Sequence, residues 1–325
     1  MNGYIKKIAK LVMIGSAVVL FQACSIKMPV DTPDASESSY HDTGKGKEVK
    51  LAFDSNLNED HEVAAGNRTN VFVLEHNNEK IDADEYIRSA LQKEIAARKI
   101  PLQFTPDASD KLTLEHFEII THRVSSFSPL VTVSTLRLDM KVGEDSKTFV
   151  SVVKRSKTPV WAMDEVVEPC YNEPTTLLIK EVVAKINKNY FGHKLNDKYI
   201  EKLEREISAK EHKRLTYLDV YELGFSNNTN ALEFLKTLTD SPDEYIRLAA
   251  ISSIGILGDT EQLTFLVSLN KNSKMWQDRA MALKSIGDLD TQEGHSYLKE
   301  RKDFWQGKTT NEAIWNLKII DLYIQ

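Results

Sequence analysis

The chain has 325 residues, which at about 100 to 200 residues per domain allows two or three domains with sizeable cores. Hydrophobic residues make up 41% and charged residues 28%, values that exclude collagen-like, wholly disordered and polytopic membrane proteins. The net charge of −6 gives no overall attraction for nucleic acid, and two cysteines are too few for a disulfide framework or a multi-cysteine zinc site.

The amino terminus has the form of a secretory signal. Three lysines, at positions 6, 7 and 10, precede an apolar run of eleven residues, 11–21. A membrane-spanning helix needs about 20 apolar residues, so this run is too short to cross a bilayer as a stable helix. The pattern therefore predicts a segment that directs export.

The segment Phe21-Gln22-Ala23-Cys24 ends this run and resembles the lipobox of bacterial lipoproteins. The resemblance implies that residues 1–23 are a lipoprotein signal peptide and that Cys24 becomes an acylated first residue. Two or more acyl chains make membrane attachment effectively permanent. In that family an acidic residue after the cysteine commonly signals inner-membrane retention, so Ser25 implies the outer membrane, with the body facing the periplasm. The alternative is a plain signal peptide in which Cys24 is incidental.

Residues 24–47 are rich in Pro, Ser, Gly and acidic side chains. Their few apolar residues are Ile26, Met28, Val30 and Tyr40. Such a segment buries too little surface to offset its ordering entropy, so we predict a flexible tether over residues 24–47.

Residues 48–192 have the pattern of an α+β domain. Short alternating runs near residues 49–53 and 71–73 predict strands, and Asp82 with Glu85 marks the start of a helix. Three longer strand candidates follow at 111–123, 130–142 and 147–157, and then a second helix that begins near Pro174. This order predicts an antiparallel sheet with helices on one face.

In a lipid-anchored chain, this element order resembles small outer-membrane lipoproteins of the YajG type, over about residues 48–190. It resembles auxiliary lipoproteins of envelope transport and secretion systems more loosely. The resemblance rests on element order alone and assigns no functional residues. Open edges of such a sheet are candidate docking sites for another strand.

The carboxyl-terminal third of the chain is repetitive. A polar helix over residues 193–214 is expected to connect it to the first domain. Leu223, Leu257, Leu289 and Leu322 then follow one another in steps of 34, 32 and 33 residues. A period of this length, with paired helices, is the signature of an α-solenoid.

The best copy of the repeat runs from Ser241 to Asp259 and resembles bacterial HEAT-like repeats. The resemblance implies an α-α superhelix over residues 215–325, with fewer than four full hairpins and Pro242-Asp243 as the lead-in to the second helix of a hairpin. HEAT-like arrays mostly bind other proteins along a concave surface. From residue 211 onward, 13 basic residues stand against 17 acidic ones, which argues against a nucleic-acid groove.

Three tryptophans in the array, Trp276, Trp305 and Trp315, are speculative partner-binding residues. They are suited to an aromatic anchor for a partner, and the alternative is that they pack between hairpins. Packing between hairpins is favoured for at least two of them, because large aromatic side chains dominate core burial.

His116, Glu118 and His122 share one face of a predicted strand. A separation of six residues puts the two imidazoles about 20 Å apart, too far to bind one metal ion. A solvent-facing strand of mixed polarity is therefore expected. Cys170 lacks a local catalytic signature, and its role stays open between bystander, intermolecular disulfide and nucleophile.

These observations predict a lipid-anchored envelope protein that acts as a non-catalytic binding or assembly scaffold through its repeats. The expected partners are the membrane, through acyl chains on Cys24, and one or more envelope proteins. No cofactor or metal is expected. The alternative is an enzyme or a carrier of an apolar ligand, with a pocket between the α+β domain and the repeats.

Overall fold

The computed structural model describes residues 25–37, 40, 47–58, 61–65, 71–123, 128–157, 160, 162, 164–209 and 215–324. The predicted signal peptide, residues 1–23, and the predicted lipidation site, Cys24, lie outside the described residues. No described helix is both long and apolar enough to cross a membrane.

The larger sheet has six strands, and its order is β6-β2-β7-β8-β9, with β3 beside β7. The strands are β2 (Val49–Ser55), β3 (Ala64–Ala65), β6 (Leu102–Phe104), β7 (Asp110–His122), β8 (Leu130–Val142) and β9 (Asp145–Lys157). The three long strands form the predicted antiparallel meander. By contrast, β2 pairs in parallel with β6 and β7, so the sheet as a whole is mixed.

A second, smaller sheet contains β1 (Ser25–Pro29), β4 (Val71–His76) and β5 (Glu79–Lys80). Strand β1 runs parallel to β4, and Met28 is fully buried. The flexible tether predicted over residues 24–47 is therefore wrong for its described amino-terminal part. Alternating apolar side chains in a five-residue strand are enough to hold it against the domain.

Two long helices pack on one face of the larger sheet. They are α1 (Ala83–Ala97) and α3 (Glu173–Tyr190); α2 (Asp164–Val167) and a π-helical segment at Glu168–Asn172 lead into α3. The predicted start of α1 is confirmed, because the Asp82 side chain accepts hydrogen bonds from the amides of Asp84 and Glu85. Strands β8 and β9 supply the sheet side of this core.

The carboxyl-terminal part is a HEAT-like helical array, and its described residues form four hairpins. They are α4 (Asp197–Ala209) with α5 (Thr216–Phe225), α6 (Leu232–Leu238) with α7 (Glu244–Leu257), α8 (Leu263–Asn272) with α9 (Trp276–Asp288), and α10 (Gln292–Trp305) with α11 (Asn311–Asp321). The predicted α+β fold class followed by an α-α superhelix is confirmed. The helix expected as a connector over 193–214 packs on α5, so it is the first helix of the array.

The length of the first repeat in the structure differs from the length that the leucine spacing predicts. A Cβ placed on Gly224 would lie 2.9 Å from the Cα of Ser253, and one on Gly255 would lie 2.6 Å from the Cα of Ser285. Gly224 and Gly255 are therefore equivalent positions, 31 residues apart. The step of 34 from Leu223 to Leu257 overshoots by almost one helical turn, which keeps an apolar residue on the same face.

Candidate functional site

The inner helices of the array, α5, α7, α9 and α11, stack on one another. Helix α7 is buried over nearly its whole length, whereas its outer neighbour α8 buries only Leu266 and Asn270. Helix α3 packs against α5 and α7, and β9 packs against α9. The inner surface of the first three hairpins is thus occupied by the chain's own α+β domain.

A buried ionic cluster joins α3 to α9. The ammonium group of Lys185 lies 2.5 Å from Glu181 Oε1 and 2.6 Å from Asp288 Oδ1. That of Lys284 lies 2.7 Å from Asp288 Oδ2 and contacts Glu181. Burial raises the pKa of Asp288, but the two lysines outweigh it and hold the pKa below its usual range. Two cations and two anions therefore neutralise one another at the domain boundary.

Side chains of edge strand β9 contact the array. The Arg155 guanidinium stacks over the rings of Tyr217 and Tyr245, at 4.1 and 4.2 Å from their centroids, and donates to Glu173 Oε1 at 2.7 Å. Next to it, the Lys154 ammonium group lies 2.5 Å from the Glu244 carboxylate. These contacts hold the carboxyl-terminal half of β9 against α5 and α7 of the array.

A groove lies between the β7–β8 face of the sheet and helices α9 and α11. It contains two adjoining cavities of about 480 and 310 Å³, which share Glu118, Ile120, Trp315 and Lys318. A small apolar cavity of about 30 Å³ adjoins them below, between Val133 of the sheet and α9. We call these three cavities together the sheet–array groove.

The groove brings together two of the three tryptophans singled out in the sequence. Trp276, at the start of α9, and Trp315, in α11, both line the cavity of about 480 Å³, with Ile314 beside them. Trp305 lies at the end of α10 and does not line the groove; its ring packs edge to face on Phe304. All three tryptophans are half-buried and pack partly against the core.

The polar side of the groove comes from β7. His116, Glu118 and His122 share one sheet face, as expected, because they pair across from Arg137, Thr135 and Val131. This face was expected to face solvent, but it lines the sheet–array groove instead. Helix α11 passes in front of it, a tertiary contact that no local pattern could predict.

One ion pair crosses the groove. Lys318 Nζ of α11 lies 3.6 Å from Glu118 Oε2 of β7. The ring of His116 shares a hydrogen bond of 2.8 Å with Thr135 Oγ1, and burial lowers the pKa of His116. Among the described residues no group of three or more His, Cys, Asp or Glu side chains is arranged to hold a metal ion.

Cys170 is fully buried in the π-helical segment. Burial raises the pKa of its thiol to about 12, with a smaller opposing effect from Arg155. At neutral pH the sulfur therefore carries its proton, which disfavours a nucleophilic role. Its burial also disfavours an intermolecular disulfide.

The comparisons with known proteins agree with this architecture in the array. Residues 200–287 match the family model of HEAT repeats. The match covers α4, which the sequence pattern had left outside the repeats. No curated protein matched the chain. Among solved structures, the chain is similar to a crystal structure of an uncharacterised protein at 11% identity and a TM-score of 0.26, over 46% of this chain and 95% of that one.

Sequence reasoning missed the residues that join the two domains. Lys284 and Asp288 interrupt the apolar face of an inner helix, and Glu181 and Lys185 do the same in α3. A charged residue on an apolar face, with an opposite charge four residues away, was the available signal. It did not reveal that the two helices pair with each other.

Proposed function

We propose that this protein is a lipid-anchored component of the bacterial outer membrane that faces the periplasm and acts as a non-catalytic binding scaffold. Its partner protein binds in the sheet–array groove. HEAT repeats generally mediate contacts between proteins, and their match over residues 200–287 supports the binding role. The lipobox-like segment that ends at Cys24 supports the anchor.

One observation carries the choice of surface. The inner face of α5, α7 and α9, where a HEAT-like array would ordinarily bind a partner, is filled by α3 and β9 of the same chain. The sheet–array groove remains as a concave surface with half-buried tryptophans and the exposed Ile314. Aromatic side chains at the centre of a concavity are typical anchors of protein interfaces.

Site-specific photo-crosslinking in intact cells tests this surface. A photoreactive residue replaces Ile314, which is 45% exposed in the groove, or Phe304, which is 48% exposed on the outer helix α10. We expect a discrete protein adduct from position 314 and none from 304. The same adduct from both positions, or none from 314, would show that the groove is not the interface.

The anchor is tested separately. In the variant Cys24→Ala, we expect the protein to leave the membrane fraction and to lose incorporation of a labelled fatty acid. A wild-type protein that never incorporates the fatty acid would rule out the anchor and leave the binding role to be judged by the crosslinks.

The second candidate function is a carrier of an apolar ligand. The cavity of about 480 Å³ in the groove favours it, because its volume is that of a ligand pocket and Val131, Val133 and Trp276 are among its lining residues. Extraction and mass spectrometry of the purified protein distinguishes the two functions. A stoichiometric small molecule, together with no adduct at position 314, would favour the carrier.

A further inference from the structure

We infer that the folded body is held directly against the membrane, with no spacer between the acylated cysteine and the first strand. This inference rests on the lipid anchor proposed above. Strand β1 begins at Ser25, which is joined by a peptide bond to Cys24. Consecutive Cα atoms are about 3.8 Å apart, so the attachment point adjoins the fold.

Strand β1 is fixed over its full length. Its five residues pair in register with β4, from Ser25 opposite Val71 to Pro29 opposite Glu75. Met28 is fully buried, and the Lys27 ammonium group lies 2.6 Å from the Glu75 carboxylate. Backbone pairing and side-chain burial therefore both oppose detachment of the strand.

The chain after β1 continues as an arm across the domain. The amide of Val30 donates to the Glu75 carbonyl at 2.8 Å, and the amide of Asp31 donates to Asn172 Oδ1 at 3.0 Å. Further on, both the amide and the hydroxyl of Ser36 donate to the Glu94 carboxylate at 2.7 Å. The arm thus contacts β4, the segment before α3, and α1 in turn.

The arm then reaches the array. The Tyr40 hydroxyl donates to the carbonyl of Phe225, at the end of α5, at 3.1 Å. The fully buried Arg98 guanidinium donates to the same carbonyl at 2.9 Å and stacks on the Tyr40 ring at 4.6 Å. Its Nε lies 2.5 Å from Glu94 Oε1. Releasing the arm would leave Glu94 and Arg98 with fewer partners inside the protein, which is costly for buried charges.

The consequence is a defined height above the membrane. A flexible coil over residues 24–47 would have a root-mean-square reach of about 26 Å and would let the body reorient freely. Without such a coil, the folded body adjoins the bilayer. A body of this size is about 50 Å across, so all of its surface lies within about 50 Å of the bilayer. The partner of the sheet–array groove is therefore a protein that presents its binding segment close to the same membrane.

Paired cysteines in the full-length membrane protein test the arm. In Lys27→Cys with Val73→Cys, the two positions are register partners on neighbouring strands. In the control, Lys27→Cys with Glu79→Cys, strand spacing and rise separate them by about 14 Å. Disulfides need Cα atoms within about 7 Å, so oxidation of washed membranes should crosslink the first pair at least tenfold faster. Equal rates for the two pairs would mean that residue 27 moves freely and would overturn the inference.

A second measurement reports the distance between the folded body and the membrane surface. A dye on Glu79→Cys in proteoliposomes of the acylated protein transfers energy to acceptor-labelled lipid headgroups. We expect stronger energy transfer than in a variant with 20 Gly and Ser residues inserted between residues 24 and 25. Equal transfer in the two proteins would overturn the inference that the body lies directly against the membrane.

Mass spectrometry of the amino-terminal peptide establishes the acyl chains first. An unmodified Cys24 would refute the anchor, while the crosslinking rates would still decide whether the arm is built into the fold.

Discussion

Glu181 in α3 and Lys284 in α9 form an ion pair between the α+β domain and the array, and neither side chain is exposed to solvent. Removing two charges from water is costly, so such a pair is tolerated only when every remaining polar atom is satisfied. Lys284 also lies 2.7 Å from Ser252 Oγ, and the Ser151 hydroxyl donates to Glu181 at 2.8 Å. This shared cluster makes the two parts one cooperative unit, for which we expect a single unfolding transition.

Breaking this cluster should strongly destabilise the protein. Asp288→Asn leaves Lys185 and Lys284 with one carboxylate between them, and we expect a loss of about 3–5 kcal/mol in the free energy of unfolding by urea. Asp290→Asn is the matched control, because that side chain is 51% exposed and pairs with Lys147 at the surface. Its loss should be within about 1 kcal/mol. Equal losses for the two variants would contradict the buried cluster.

The close contact between α7 and α9 predicts whether a glycine substitution there raises or lowers the free energy of unfolding. In an exposed helix, Gly→Ala stabilises by up to about 1 kcal/mol. At Gly255 the added Cβ would lie 2.6 Å from the backbone Cα of Ser285, so the helices must move apart. We expect Gly255→Ala to lower the free energy of unfolding by about 1–3 kcal/mol. A rise in stability would show that the two helices are not in contact at this point.

Arg247 of helix α7 should contribute more to stability than its charge alone. Arg247 donates to the Asp278 carboxylate at 2.9 Å and to the Ser241 carbonyl at 2.9 Å. A lysine lacks the planar fork needed to make both contacts. We therefore expect Arg247→Lys to cost about 1–3 kcal/mol in chemical denaturation. The control Arg205→Lys, at a side chain 71% exposed, should change stability little, and similar values for both would refute the assigned role.

The buried thiol predicts a loss of stability in alkali. Burial raises the pKa of Cys170 from 9.0 to about 12. Between these values the unfolded chain releases the proton while the folded chain keeps it, so the free energy of unfolding falls as pH rises above about 9. Cys170→Ala should reduce this slope in urea titrations from pH 7.5 to 10.5. Part of the slope should remain, because burial also raises the pKa of Tyr171. Superimposable pH profiles would count against the burial of the thiol.

Much of the architecture followed from local patterns. The capping residue Asp82, the bounds of β8 and the lead-in Asp243 were each found where local patterns placed them. The face of β8 that an alternating pattern would leave exposed is buried over residues 132–138. The HEAT-like array followed from its period. The first repeat step, taken from Leu223 to Leu257, was wrong. Leucines almost one turn apart lie on the same face of a helix, so the pattern could not tell which of them were equivalent.

The rest depended on contacts between distant residues. Composition predicted a tether over residues 24–47, yet the four apolar residues of that segment are its anchor points: Met28, Val30 and Tyr40 are buried, and Ile26 is half-buried. Ile26, Met28 and Val30 alternate, which was the available signal for a strand. For the groove, Trp276 and Trp315 could be named as candidates from the sequence. That they line the same cavity as Glu118 of β7 depends on how the array packs against the sheet.

Different hairpins of the array attach it to the α+β domain and form the wall of the sheet–array groove. The first three hairpins are tied to the body through α3 and β9, whereas α11 contributes one wall of the sheet–array groove. In a solenoid each repeat contacts only its neighbours. Tyr323, just after α11, donates a hydrogen bond from its hydroxyl to Asp288. An additional hairpin placed after Tyr323 would therefore lengthen that wall and leave the ionic cluster and the arm in place. The length of the sheet–array groove can thus change by whole repeats while the contacts between the array and the α+β domain stay the same.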